Sequence, residues 1–233
     1  MLNNSGLFKK LFLSIFLLII LPQYLFGQLA QGNIFIGSDL SFYSESSSSE
    51  FNILTPGTNQ LTGFSIAPEV GGFASKNVSL GLGFGYEYQS DKFAAKVGQE
   101  YSKKTTNIYD VNVFIRPYLS INENMALFLN TSVYFSGGTY KEVGKAEDPN
   151  LYVFYDYIID GDLTLIKIGI SPGFSFFLGK RFALEAKFGF IGYQYKKELY
   201  QTSHEEVVNL NKGFIANFSF SSLSFGLNYF IKR

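Results

Sequence analysis

Residues 77–89 read NVSLGLGFGYEYQ. Ser79, Gly81, Gly83 and Gly85 alternate with Val78, Leu80, Leu82, Phe84, Tyr86 and Tyr88, and Glu87 and Gln89 continue the small and polar side. Alternation with period two is the mark of a strand with one apolar face. Glycine weakens strands and helices alike. Three in strict alternation therefore mark a place where a larger side chain does not fit.

The same period recurs along the chain. Segment 33–44 sets Ile34, Ile36, Leu40 and Phe42 against Phe35, Gly37, Asp39 and Ser41. Segment 61–73 sets Phe64, Ile66 and Val70 against Gly63, Ser65, Ala67, Glu69 and Gly71. Segments 105–119, 125–138, 162–177 and 182–195 repeat the pattern with Val111, Leu127, Ile166 and Phe182 opening their apolar faces. Segment 213–231 starts on Phe214, Phe218 and Phe220, then slips by one to Leu223, Phe225, Leu227 and Tyr229, as a bulge near Ser221–Ser222 would produce. With residues 77–89 these make eight expected strands.

The expected connections alternate in length. Short ones fall near 74–77, 120–124 and 178–181; long polar ones fall near 45–60, 90–104, 139–161 and 197–212. Short turns on one side and long loops on the other are the habit of membrane barrels. Strands of this length also meet the requirement of about 9–11 tilted residues for crossing a bilayer. Three stretches share one hairpin plan, with Pro68, Pro117 and Pro172 each preceding a short turn. Proline forfeits a ladder hydrogen bond, so these three are expected toward the rim of the short turns. No linker divides the chain.

Bulk chooses which face is inside. An eight-stranded barrel has an interior only wide enough for packed side chains or one small ligand. The Phe, Leu, Ile, Tyr and Val faces exceed that volume, whereas the opposite faces, read as Gly, Ser, Ala and Asn with a few charges, fit it. The expected fold is all-β: a closed eight-stranded antiparallel up-and-down transmembrane β-barrel, lipid outside and small residues inside. Tyr86, Tyr88, Tyr193 and Tyr195 would then serve as an aromatic girdle without tryptophan, which is absent.

Composition agrees. The chain is 46% hydrophobic and 16% charged, with 26 Phe and 16 Tyr. Lys9 and Lys10 precede the apolar run LFLSIFLLIIL, and a small residue, Gly27, precedes Gln28, so residues 1–27 read as a signal peptide and 28–233 as the barrel domain. That run is short of the about 20 residues of a spanning helix. The formal net charge of zero gives no electrostatic case for nucleic acid. The absence of cysteine excludes thiol catalysis and Cys-based metal sites. No cofactor is implied: Gly81, Gly83 and Gly85 lie within a strand and lead into no phosphate-cradling helix.

The stretches GNIFIGSDLSFYS, FSIAPEVGGFASKNVSLGLGFGY, ISPGFSFFLGKRFALEAKFG and FSFSSLSFGLNYF together resemble the small, porin-like outer-membrane β-barrel family, over residues 32–230. The resemblance implies residence in the cell outer membrane among its lipids. It also implies folding by the barrel-assembly machinery, which reads an aromatic end; here Tyr229 and Phe230 are followed by Ile231, Lys232 and Arg233. It implies no defined activity.

Eight charged residues fall on the lumen side. Asp39, Glu69, Arg116, Glu185 and Lys187 count to one level above the short turns, and Glu87, Asp110 and Lys167 to a higher one. Buried charges are costly unless paired, so these read first as salt-bridge layers and second as a candidate gate. Five carboxylates against three bases would make such a gate cation-preferring. His204, between Ser203 and Glu205, is the one histidine. Neighbours on a loop do not form a triad, which is defined by geometry, so it reads as a solvated loop residue. The expected role is a non-enzymatic envelope protein, serving integrity or contact with an extracellular ligand through its long loops, one of them the polar SESSSSEFN. The alternatives are a narrow cation-preferring pore and a lipid-modifying enzyme.

Overall fold

The computed structural model describes residues 29–49, 57–95, 101–148, 153–201, 206–219 and 222–231. The expected signal peptide lies outside them. Ten strand segments form one antiparallel sheet: β1 (Ile34–Ser49), β2 (Gly57–Ser75), β3 (Val78–Ala95), β4 (Tyr101–Asn122), β5 (Met125–Asp148), β6 (Val153–Leu178), β7 (Phe182–Phe188), β8 (Phe190–Gln201), β9 (Glu206–Asn217) and β10 (Leu223–Ile231). β1 to β6 pair in chain order, β6 pairs with β7, β7 with β10, and β10 with β1, which closes a ring of eight. β8 continues β7 along β6 after Gly189, whose φ of +77° interrupts the strand, and β9 lies beside β8. The slip expected near Ser221–Ser222 falls in the break between β9 and β10.

The outward face is apolar all the way round. Ile36, Leu82, Val113, Phe135, Ile168, Leu184 and Leu227, drawn from seven wall strands, are all exposed. A belt of this kind belongs in hydrocarbon, so the strands cross a membrane. No helix among the described residues is long and apolar enough to do so. Phe42, Phe64, Tyr86, Tyr88 and Tyr109 pack ring against ring on the outer wall, with centroids 5.2–6.4 Å apart.

The short turns use the chemistry their geometry requires. Asn77 takes φ +63° between β2 and β3, Gly179 takes φ +82° between β6 and β7, and the Asn122 side chain accepts from the Asn124 N–H at 2.9 Å between β4 and β5. The expected long loops are shorter than the sequence suggests. Strand pairing runs on to Ser49↔Gly57, Ala94↔Tyr101, Asp148↔Val153 and Gln201↔Glu206. Beyond the lipid both faces meet water, so the hydropathy alternation vanishes while the backbone ladder continues.

The lumen corrects the expected inner face. Its lower part is a cluster of buried apolar side chains: Leu29, Phe35, Phe73, Phe114, Tyr118, Phe128, Phe177 and Phe230 with two alanines. Small residues and rings share one space. Phe35 pairs with Gly71, Gly71 with Gly81, and Gly81 with Phe114, so each ring lies over a glycine on the adjoining strand. Gly173 seats Phe128, Gly83 seats Asn112, and Gly85 seats Asp110 in the same way. The glycines of residues 77–89 therefore face a lumen that their cross-strand partners fill. From below, the Leu29 carbonyl accepts from Asn77 N–H at 3.1 Å, and Gly32 N–H donates to the Phe73 carbonyl at 3.0 Å, drawing the entering chain across the mouth.

The three prolines lie on the outer wall in the half of each strand nearer the short turns, Pro117 opposite Val78 at the start of β3. Each falls where the ladder to the following strand is interrupted. Pro68 falls between the pairs Ile66↔Tyr86 and Glu69↔Gly83, Pro117 between Ile115↔Thr131 and Tyr118↔Phe128, and Pro172 between Ile170↔Ile191 and Gly173↔Lys187. The missing N–H thus coincides with a missing bond. Glu69 and Arg116, each adjacent to such a proline, point inward.

A methyl group at Gly71 would overlap the Phe35 ring, while the nearest backbone atom, the Leu80 carbonyl oxygen, stays 3.1 Å away. Gly71→Ala is expected to lower stability by about 1–3 kcal/mol, and Phe35→Leu on that background to restore part of it. The urea midpoint of the barrel refolded in lipid vesicles measures both.

Candidate functional site

Arg116 lies wholly buried at the centre of the barrel, on β4. Its Nη1 donates to Glu185 Oε2 at 2.8 Å and its Nη2 to Glu69 Oε2 at 2.9 Å. Its Nε donates to Asn130 Oδ1 at 3.0 Å. Below, the guanidinium carbon stands 4.7 Å from the centroid of Phe114, 4.9 Å from that of Phe128 and 5.7 Å from that of Phe35. The cation is thus held by carboxylates on one side and ring faces on the other.

The carboxylates are tied in turn. Ser175 Oγ donates to Glu185 Oε1 at 2.7 Å. Lys187 Nζ donates to Asp39, and reaches Glu69 Oε2 at 3.4 Å. Strands β1, β2, β4, β5, β6 and β7 meet in this one network. The five residues counted to the lower level from sequence, Asp39, Glu69, Arg116, Glu185 and Lys187, are brought together here. With the aromatic cluster beneath, they make a plug across the lumen. Each charge has a partner of opposite sign, the first condition under which burial of ions is tolerated, although Glu69 Oε1 is buried without a hydrogen bond.

The other three charges stand above the plug and do not join it. Glu87, Asp110 and Lys167 line a cavity of about 250 Å³ whose floor includes Asp39 and Lys187. The lumen is thus filled below and open above. Tyr43 donates to Glu87 Oε1 at 2.9 Å, Asn112 Nδ2 donates to Asp110 Oδ1 at 3.4 Å, and Lys167 Nζ stands 5.5 Å from the Tyr134 ring centroid. His204, with Ser203 and Glu205, lies outside the described residues. Among the described residues no group of three His, Cys, Asp or Glu side chains is placed to hold a metal ion.

A third polar layer, beyond the apolar belt, has no counterpart in the sequence reading. Lys104 and Lys196 each reach Glu198 Oε1 at 3.0 Å, and Lys104 Nζ stands 4.0 Å over the Tyr140 ring. Partial burial opposes ionisation of Glu198, but the hydrogen bonds from the two lysines prevail and hold its carboxyl below the usual range. Burial, helped by Glu198 and other nearby acids, pushes the Tyr140 phenol up to about 12.

The aromatic half of the plug was also missed in sequence, although a signal for it exists. Phe35, Phe73, Phe114, Phe128, Phe177 and Phe230 all occupy the parity of the small residues, and the middle four lie within about ten residues of the short turns. Bulk at that parity near one end is the pattern of a barrel packed shut at that end.

No protein-family model matches the chain, and no curated protein matches it. Among solved structures the chain is similar to the outer membrane protease OmpT of Escherichia coli, at 11% identity over 85% of this chain and 93% of that one, with a TM-score of 0.44. It is similar to Neisserial surface protein A at 16% identity, over 85% of this chain and 99% of that one, with a TM-score of 0.35. It is also similar to the N-terminal β-barrel domain of Pseudomonas aeruginosa OprF, at 10% identity over 86% and 98% of the two chains, with a TM-score of 0.31. The architecture itself, that of a small transmembrane β-barrel, rests on the closed ring, the outward apolar belt and the lumen packed with polar and aromatic side chains.

Removing the cation alone leaves buried Glu185 without a cation and Glu69 with only Lys187 at 3.4 Å, a loss that costs about 3–5 kcal/mol. Arg116→Met is expected to lower stability by that amount. The triple variant Arg116→Met, Glu69→Gln, Glu185→Gln leaves Lys187 with Asp39 and is expected to recover most of the loss. Urea unfolding of the three proteins in vesicles separates these outcomes; a triple variant no better than the single one contradicts the pairing.

Proposed function

We propose that the chain is a non-enzymatic, non-conducting barrel of the outer membrane, delivered by the signal peptide at residues 1–27 and working through its outward extensions. The observation that carries this reading is the plug: a buried ion-pair network seated on packed aromatic rings leaves ions no continuous aqueous path. An ion entering from above meets the Arg116 network and then hydrocarbon.

The long strands beyond the belt supply the surface. β4, β5, β6 and β8 border a cleft of about 810 Å³ lined by Lys103, Lys141, Asp160 and Asp162. It offers charge of both signs to an extracellular ligand or to neighbouring envelope components. The short turns then face the periplasm. The cation-preferring pore remains the second reading, because Glu87, Asp110 and Lys167 already line open space; it requires the plug to move aside.

In planar bilayers, residues 28–233 refolded as a barrel are expected to give no steady single-channel current. Phe114→Ala combined with Arg116→Ala is expected to give one, provided the variant keeps the heat-dependent gel mobility of a folded barrel. Steady, salt-dependent current from the unaltered chain would establish the pore instead.

A further inference from the structure

One junction in the wall is unlike the rest. β1 pairs with β2 along its whole length, from Ile34 to Ser49, but with β10 only as far as Leu40↔Phe225. β9 pairs with β8 on one edge and has no ladder partner on the other among the described residues. A seam therefore opens between the outer half of β1 and β9, above Leu40 and Phe225. The strands bordering it carry some of the most exposed aromatic side chains of the wall: Phe42 at 74%, Phe214 at 71% and Phe225 at 60%. The foot of the seam thus lies within the apolar belt.

Unpaired backbone at membrane depth is tolerated where it lines a cavity and not where it faces lipid alone. The lumen cavity above the plug meets that condition. Asp39, Ser222 and Ser224 belong to its wall and border the foot of the seam, and on the opposite, β7 side Gly189 N–H donates to the Ser222 carbonyl at 3.4 Å. Lipid and polar lumen meet sideways at this point.

The charge of the lumen selects what can enter. Asp39, Glu69, Glu87, Asp110 and Glu185 face Arg116, Lys167 and Lys187, five acids against three bases. Within the cavity, Glu87 and Asp110 accept hydrogen bonds only from Tyr43 and Asn112, and neither forms an ion pair among the described residues. Fields of fixed charges act strongly in a narrow, low-dielectric cleft. We propose that the cavity receives the ammonium head of a single-chain amphiphile, which enters sideways from the membrane through the seam. Its head lies between Glu87 and Asp110, and its tail stays in the bilayer against Phe42, Phe214 and Phe225.

The test uses the mature barrel in zwitterionic vesicles and two long-chain probes with a nitroxide on the alkyl chain, one an alkylammonium and the other an alkyl sulfate. Electron paramagnetic resonance is expected to show an immobilised fraction for the ammonium probe beyond that of the sulfate. Glu87→Gln with Asp110→Asn should weaken that binding by about tenfold or more, since two charged hydrogen-bond acceptors are lost. Ser224→Leu, at the foot of the seam, should weaken it as well; Ser222→Leu is read in its place if that variant does not show the gel mobility of a folded barrel. Unlabelled butylammonium in the water should compete poorly. Equal immobilisation of both probes, indifference to the double variant or the leucine variant, or full competition by butylammonium would each overturn the proposal.

Discussion

Hydrocarbon offers a strand edge no hydrogen bonds, and each orphaned backbone group there costs several kcal/mol. Everything else in this barrel follows from that constraint. The sheet must close, and with eight strands it closes on a lumen barely wider than the side chains that line it. Space inside is then the scarce quantity. Alternating glycine answers the scarcity by giving each phenylalanine, asparagine or aspartate of the next strand a place to lie.

Packing and electrostatics depend on each other at the plug. The aromatic bed excludes water from beneath Arg116, which strengthens its attraction to Glu69 and Glu185. That attraction joins strands that are not neighbours: β2, β4 and β7 share one cation. The same network sets the boundary between a sealed lower lumen and the charged cavity above it. Closure of the wall is complete beside the plug and incomplete above it, where β1 and β9 part. The wall is thus tight where the lumen is full and open where the lumen is hollow.

Much of this was legible in the amino-acid order because lipid imposes a local period. Leu80, Leu82 and Phe84 could face only outward, and counting from the short turns brought Asp39, Glu69, Arg116, Glu185 and Lys187 to one level. What stayed hidden is non-local or lies outside lipid. Register decides that Phe35 lies over Gly71 and Phe114 over Gly81, and register is a property of two strands rather than of either. Residues 139–148 and 153–161 look like loop because neither stretch separates an apolar face from a polar one, yet their backbones pair throughout. The prolines gained a meaning only when Pro68, Pro117 and Pro172 were seen to coincide with gaps in the ladder.

The most direct measurement is the collision profile of nitroxide labels on single cysteines at Leu82 and Ser65 of the refolded barrel in vesicles. Leu82 faces outward in the belt; Ser65 lines the cavity and shares a hydrogen bond with Ser41 at 2.7 Å. The Leu82 label should collide readily with lipid-soluble oxygen and hardly at all with a water-soluble nickel chelate, and the Ser65 label should be shielded from oxygen. The reverse pattern, with Leu82 sheltered and Ser65 in contact with lipid, would turn the barrel inside out and contradict the structure at its foundation.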